Sequence, residues 1–352
     1  MTAAATKLET LALGCLLDTP MPPREQLLTP WLREQESALI WAAPGVGKTM
    51  LTLSIALAVA GDGSFLGWSA PRPRRVLLID GEMPKDDLQG RLRSLAGAVE
   101  GLNLEAARAN LSLLARHAQH PDAPFPDFGD PQQHDGIMAM IRAEKPDLLI
   151  LDNLSTLATL GDENAASHTQ VVVKLLARLK QAGIAVVVVH HSGKNGAHYR
   201  GSSMLATTFE VILGLTRDKT NDVLDETGCA RFDLRWDKYR NRRDPSVVDR
   251  SVRLEESPEG LSWIGLAQTD EVLHALVGLV RRGQFRTQRE VGHALPPRLW
   301  PNDTAPSAGW LSRQFRLAKA KGLITDAEVK AYFEAADDNP AVDPDSAAND
   351  DI

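Results

Sequence analysis

The sequence predicts an α/β fold in which a parallel sheet is covered on both faces by helices. Three observations predict it. Short, almost wholly apolar runs recur through residues 38–189, the pattern of strands buried on both faces. A stretch of helical character accompanies these runs, the alternation that builds a parallel sheet with crossover helices. A glycine-rich turn joins the first strand to the first helix.

Taken in order, residues 38–41 form the first apolar run and 50–60 the helix after the turn. Residues 75–80 are the second strand and 84–99 its helix. A third run spans 111–115. Residues 134–144 are a helix leading to a fourth strand at 147–152, and 170–181 a helix leading to a fifth at 184–189. Residues 211–215, 231–236 and 252–255 read as shorter strands that extend the sheet as hairpins, and this core closes near Gly265. The chain thus divides into four segments: an N-terminal extension over 1–36, punctuated by prolines and packed against the core; that core over 37–267; a small helical module over 268–333; and a tail over 334–352. The module reads as helices at 270–281, 287–294 and 311–321, a helix-turn-helix or winged-helix pattern. The tail holds seven acids and no Lys or Arg, the composition of a solvated, disordered segment.

Composition narrows the function. The 352 residues carry 39 Lys and Arg against 46 Asp and Glu, a net charge of −7. That excludes a uniformly basic nucleic-acid coat while leaving room for a local basic face. Two cysteines, Cys15 and Cys229, cannot form a disulfide framework or a Cys-rich zinc site, which suits a reducing cytoplasm. Residues 1–20 lack a signal-length apolar segment, and the longest apolar runs fall far below the ~18 residues of a membrane span. A cytoplasmic protein with no membrane partner is expected.

The chemistry concentrates at Ala42-Ala-Pro-Gly-Val-Gly-Lys-Thr49. It matches the phosphate-loop pattern G-x-x-x-x-G-K-[ST], with Ala42 in place of the first glycine. Gly45 and Gly47 let the backbone bend so that successive N–H groups face phosphate oxygens. Lys48 brings a positive charge to the β- and γ-phosphates, and the Thr49 hydroxyl ligates Mg²⁺. The following helix points its positive end at the same anion. Pro44, Gly45, Val46, Gly47, Lys48, Thr49 and Met50 are therefore the expected ATP-binding residues. Asp152 ends a buried strand, at the edge where α/β sheets bind ligands. A carboxylate there can hold Mg²⁺ through its water shell; the plain alternative is a turn residue. Glu82, just past another strand end, can orient and deprotonate the attacking water, with Asp80 the competitor in the same turn. His191 ends the fifth strand, where a polar side chain can sense the γ-phosphate. His190 and His191 point to opposite faces and are poorly placed to share zinc.

This ordered set resembles the RecA-like ATPases: the phosphate loop, Glu82, Asp152, the His-His-Ser-Gly-Lys194 strand end and Arg200-Gly-Ser-Ser203. It is most similar to plasmid RepA-type hexameric replicative helicases, with DnaB-type helicases next. The resemblance implies a RecA-like core, ATP and Mg²⁺ as cofactors, hydrolysis between subunits of a hexameric ring, single-stranded DNA in the channel and a replication initiator or loader as a possible partner. Lys238 and Arg240 lie in Asp237-Lys-Tyr-Arg-Asn241, similar to a DnaB-type stretch that reaches into a neighbour's ATP; a surface basic run is the alternative. RepA-type sequences carry an arginine where this chain has Glu210. Phosphate tracking needs positive charge, which Lys194 and Arg200 supply after the fifth strand. Residues 281–321 carry nine Lys or Arg against two acids. Arg313, Arg316 and Lys319, spaced by three, share one helix face, either for nucleic acid or as the solvated side of a capping helix. The expected function is an ATP-driven motor on single-stranded DNA. A recombinase-like filament or mediator, or a nucleotide-gated DNA-binding regulator, are the alternatives.

Overall fold

The computed structural model describes residues 8–159, 166–192, 207–217, 230–240, 244, 246–258, 260–300 and 304–337. In chain order the elements of the first half are α1 (Leu13–Asp18), β1 (Gln26–Leu28), β2 (Leu32–Arg33), β3 (Ser37–Ala42), α2 (Lys48–Gly61), β4 (Ser64–Phe65), β5 (Trp68–Ser69), β6 (Val76–Asp80), α3 (Lys85–Ala96), α4 (Leu104–Asn110), β7 (Leu111–Ala115), α5 (His134–Glu144), β8 (Leu148–Asp152), α6 (Leu154–Leu157), α7 (Ala166–Gln181) and β9 (Ala185–His191). The second half holds β10 (Val211–Thr216), β11 (Arg231–Tyr239), β12 (Arg250–Ser257), β13 (Gly260–Ala267), α8 (Gln268–Arg281), α9 (Gln288–His293), α10 (Ala308–Ala320) and α11 (Asp326–Asp337).

Nine strands form one sheet in the order β13-β12-β11-β10-β3-β9-β8-β6-β7. The six from β10 to β7 are parallel, and β11, β12 and β13 continue the sheet antiparallel. Every residue of β3, β6 and β8 is buried, as expected of central strands with helices on both faces. The fold is the α/β one read from the sequence, a mainly parallel sheet between helices. The expected hairpins join this sheet through β10. The hairpins are present, since β10, β11 and β12 pair antiparallel in succession; β10 also pairs parallel with β3, because a fully apolar run such as Val211–Leu215 suits a strand with neighbours on both sides.

Two apolar layers flank the sheet. One contains α2, whose side chains from Leu51 onward are buried. The other contains α5 and α7. The N-terminal extension is not one unit. Leu27, Leu28, Trp31 and Leu32 are fully buried in the α2 layer, whereas α1 buries nothing. Trp31, Trp68 and Trp236 meet edge-to-face with centroids 5.3–6.1 Å apart, the favoured aromatic geometry. Trp263 joins this cluster through Phe65 and donates its indole N–H to Ser54 of α2 at 2.9 Å.

The C-terminal module has its own core, which includes Leu273, Leu276, Val291, Leu311, Phe315 and Val329. It has four helices rather than three, and no strand among its described residues, so the winged form is not seen. Residues 294–307, not a three- or four-residue turn, separate α9 from α10. The expected tail starts too early at 334: α11 runs to Asp337 and buries Ala336. Val329, Tyr332 and Phe333 give α11 an apolar stripe toward that core. Residues 338–352 lie outside the described residues.

Candidate active site

The carboxyl ends of the parallel strands bring the expected chemistry to one sheet edge. Ala42 pairs in register with His191, and Asp80 with Asp152. Between them and α2 lies a cleft of about 590 Å³. Pro44, Gly45, Gly47, Lys48, Thr49, Met50, Glu82, Asp152 and His191 all line it. Val46 does not: its side chain is buried and anchors the loop in the core below. Gly45 and Gly47 have φ of 75° and 117°, backbone that side chains rarely adopt. At Gly47 an added Cβ would meet Ala230 Cβ at 2.7 Å, so the loop closes only without a side chain.

Lys48 Nζ donates to the carbonyls of Ala42 and Ala43, each at 2.9 Å. Burial pushes its ammonium below the ordinary lysine value, and the charges of Asp152 and Glu82 offset part of that. A buried cation satisfied by two neutral carbonyls is poised to exchange one of them for a phosphate. Asp152 accepts hydrogen bonds from Thr49 and Thr52, the latter at 3.3 Å. Burial, then the neighbouring Asp80 charge, push its carboxyl up to about 7. The Thr49 hydroxyl beside a buried carboxylate is the hard-oxygen pair that Mg²⁺ takes while keeping most of its waters, so these residues fit the expected metal. Among the described residues no group of three His, Cys, Asp or Glu could hold a metal by itself.

The two acids of the second turn separate by role. Asp80 Oδ1 accepts from the backbone N–H groups of Glu82 and Met83 at 3.0 and 2.7 Å, so it builds the turn. Glu82 is the one of the two that is exposed in the cleft. Its Oε2 accepts from Asn153 Nδ2 at 2.6 Å. Asn153 is itself buried and caps α6 through Thr156 N–H. Sequence reasoning passed over Asn153; its only signal was a polar residue directly after Asp152. It also passed over Asp87 and Arg91, which line the cleft from α3, and Arg217 at the end of β10. Nη2 of Arg217 would lie 3.5 Å from a Cβ placed on Gly45, so this guanidinium stands against the phosphate loop. No hydrogen bond or ion pair engages it among the described residues. His190 turns away from the cleft toward Ser155 Oγ, at 3.3 Å from Nδ1, as the strand alternation requires.

Lys238 and Arg240 are not in this cleft. Tyr239 pairs with Val211, at the amino end of β10, while the phosphate loop starts beside Leu215. Four residues of strand, roughly 13 Å, separate the two levels. Arg240 donates to the carbonyl of Thr207 at 3.1 Å. Glu210 accepts from Lys180 at 3.0 Å and from Ser37 N–H at 2.8 Å; it ties this edge together where an arginine was looked for. Lys194 and Arg200, with Arg200-Gly-Ser-Ser203, lie outside the described residues. Arg313 and Arg316 are exposed on α10, whereas Lys319 is half-buried and pairs with Asp326. No described helix is long and apolar enough to cross a membrane.

Comparison with known proteins gives the family. The chain is similar over 68% of its length, and over 94% of the other, to the KaiC-like protein PH0186 from the hyperthermophilic archaeon Pyrococcus horikoshii OT3, at 15% identity and a TM-score of 0.47. The family described as AAA domain matches residues 3–197, a span holding the phosphate loop, Glu82, Asp152 and His191. With more than half of its length matched, the chain belongs to the AAA domain family, and its core is that of a P-loop ATPase.

Proposed function

We propose that the chain is a ring-forming ATPase that acts on single-stranded DNA, in the manner of a hexameric replicative helicase. The observation that carries this reading is the position of Lys238 and Arg240. They sit at the sheet edge opposite their own phosphate loop, so any part they take in hydrolysis is played in another copy's cleft. A phosphate site completed by a neighbour is a property of an assembly, and an arginine supplied in trans stabilises charge that develops in phosphoryl transfer.

Lys48 and the loop N–H groups hold the phosphates, and Thr49 with Asp152 holds Mg²⁺, which neutralises phosphate charge when bound. Glu82, oriented by Asn153, receives the proton of the attacking water. His191 faces the same cleft, and its strand leads into the segment that carries Lys194 and Arg200. Release of phosphate there changes the hold on DNA. The exposed Arg313 and Arg316 of α10 add a second basic contact; Lys319 is occupied by Asp326.

The test is an ATPase assay with and without single-stranded oligonucleotide, alongside electron microscopy with a non-hydrolysable ATP analogue. Stimulation and closed rings are expected. Unstimulated turnover by a monomer rejects the reading. Arg240→Ala is expected to lose activity and regain part of it when mixed with Lys48→Ala subunits; no rescue rejects the shared site.

A further inference from the structure

Strand β11 changes faces partway along. Its register with β10 pairs Leu213 with Trp236 but Ile212 with Lys238, so Asp237 is an extra residue in β11, a β-bulge. The packing carries the same break. Phe232, Leu234 and Trp236 alternate toward the layer that contains α2, and the next residue on that face is Tyr239, three positions on rather than two. An unbroken strand would turn Lys238 and Arg240 to that face, because a shift of one residue exchanges the two faces. With the bulge they stand on the other face, where Lys180 of α7 and Glu210 act on Lys238.

A side chain from β3 holds the bulge. Trp41 is fully buried in the layer that contains α5 and α7, and its indole N–H donates to Asp237 Oδ2 at 2.7 Å. β10 lies between β3 and β11, so the indole crosses a whole strand to reach the carboxylate. It crosses at Gly214, the residue in register with Trp41. A Cβ on Gly214 would lie 2.8 Å from both Asp237 Oδ2 and Trp41 Cζ2, nearer than packed atoms approach, so the crossing is open only to glycine. A buried indole N–H requires an acceptor, and a carboxylate is a strong one. Tyr239 fixes the opposite face: its ring meets Trp236 at 5.7 Å, and its hydroxyl donates to the Pro30 carbonyl at 3.2 Å.

We propose that Trp41 and Asp237 are positioning residues for Lys238 and Arg240: their bond holds the bulge that decides which face of the sheet offers these two cations to a neighbouring copy. The inference deepens the shared site proposed above and rests on it. Trp41 immediately precedes the phosphate loop, so the strand that carries a copy's own nucleotide loop also sets the geometry of the arginine it lends.

Three full-length variants test it. Trp41→Phe keeps a ring and removes the donor. Asp237→Ala removes the acceptor at an exposed residue. Asp237→Asn keeps an acceptor oxygen. The first two are expected to lower kcat roughly tenfold or more while binding a fluorescent ATP analogue as tightly as the parent, which a collapsed fold would not do. Asp237→Asn is expected to retain most of the activity. Trp41→Phe and Asp237→Ala are each expected to regain activity when mixed with Lys48→Ala subunits, which still offer Lys238 and Arg240, and to add almost nothing in an Arg240→Ala background. Full kcat in either variant overturns the proposal. So does a loss that Lys48→Ala subunits restore for Arg240→Ala but not for these variants, and that result leaves the shared site standing. Arg240→Ala that Lys48→Ala subunits fail to restore removes the shared site and this inference with it.

Discussion

Asn153→Ala isolates the group that aims Glu82. The amide donates to Glu82 Oε2 at 2.6 Å from a buried position, and a hydrogen bond to a charged group contributes about 1.5–3 kcal/mol. Glu82 is exposed, so water fills the vacated site and the lower end applies. About 1.5 kcal/mol in the barrier is roughly a tenfold fall in kcat, with little change in KM because the amide touches the acid and not the phosphates. The same substitution removes the cap of α6, where Asn153 accepts from Thr156 N–H at 3.3 Å, and costs about 1 kcal/mol of stability. Steady-state ATPase kinetics with a denaturation curve separate the two effects. A double-mutant cycle supplies the control: Asn153→Ala is expected to add almost nothing once Glu82→Gln has removed the carboxylate. An undiminished kcat in Asn153→Ala, or a tenfold loss that persists in the Glu82→Gln background, refutes the positioning argument.

Three further outcomes are expected. Gly47→Ala places a Cβ 2.7 Å from that of Ala230 at a φ of 117°; it is expected to abolish binding of a fluorescent ATP analogue, while Gly45→Ala, with its nearest contact at 3.5 Å, is milder. Arg217→Ala removes the free guanidinium at the loop and is expected to weaken that analogue about fivefold, the effect of one exposed charge-assisted contact of about 1 kcal/mol, with Arg217→Lys intermediate; equal affinities would remove Arg217 from the site. For Asp152, burial and Asp80 push the carboxyl from 3.8 up to about 7. Between those values the unfolded chain binds fewer protons than the folded one, so this group lowers stability as pH rises. In chelator, without nucleotide, Asp152→Asn is therefore expected to gain on the parent from pH 4 to 7, by up to a few kcal/mol, and a gap that denaturation at pH 5 and pH 8 finds constant counts against it.

The sheet was legible because its strands are buried on both faces. A run such as Val186–Val189, with no polar interruption, has few alternatives to a central strand. The phosphate loop was legible because its glycines answer a backbone requirement that the structure repeats in their positive φ. Less of the rest was visible. α11 carries a capping box in the sequence: Glu328 N–H bonds to Thr325 Oγ1, and Thr325 N–H to Glu328 Oε2, at 3.2 and 2.7 Å. That signal lies ahead of the acidic run, in the stretch left without an element after 321, and only the last turn of α11 was read as tail. Asn153 could not be found by pattern, because its partner is 71 positions away in sequence and meets it only where β6 and β8 lie side by side. The separation of Arg240 from its own cleft follows from β11 running antiparallel to β10 as far as Tyr239, three residues beyond the apolar run that marked the strand in the sequence.

The tryptophans divide the molecule into two optical populations. Five of the seven belong to the nucleotide-binding core; among them Trp31, Trp41 and Trp68 are wholly or almost wholly shielded from solvent, and Trp263 is tethered to the helix that starts at the phosphate loop. The other two, Trp300 and Trp310, rest half-covered on the C-terminal core. Emission at the blue edge of the spectrum thus tracks the first body; at the red edge Trp236, also half-covered, adds to Trp300 and Trp310, and Trp236→Phe leaves that edge to the second. A single melt recorded at both wavelengths reports whether they come apart together or in turn, with no label attached.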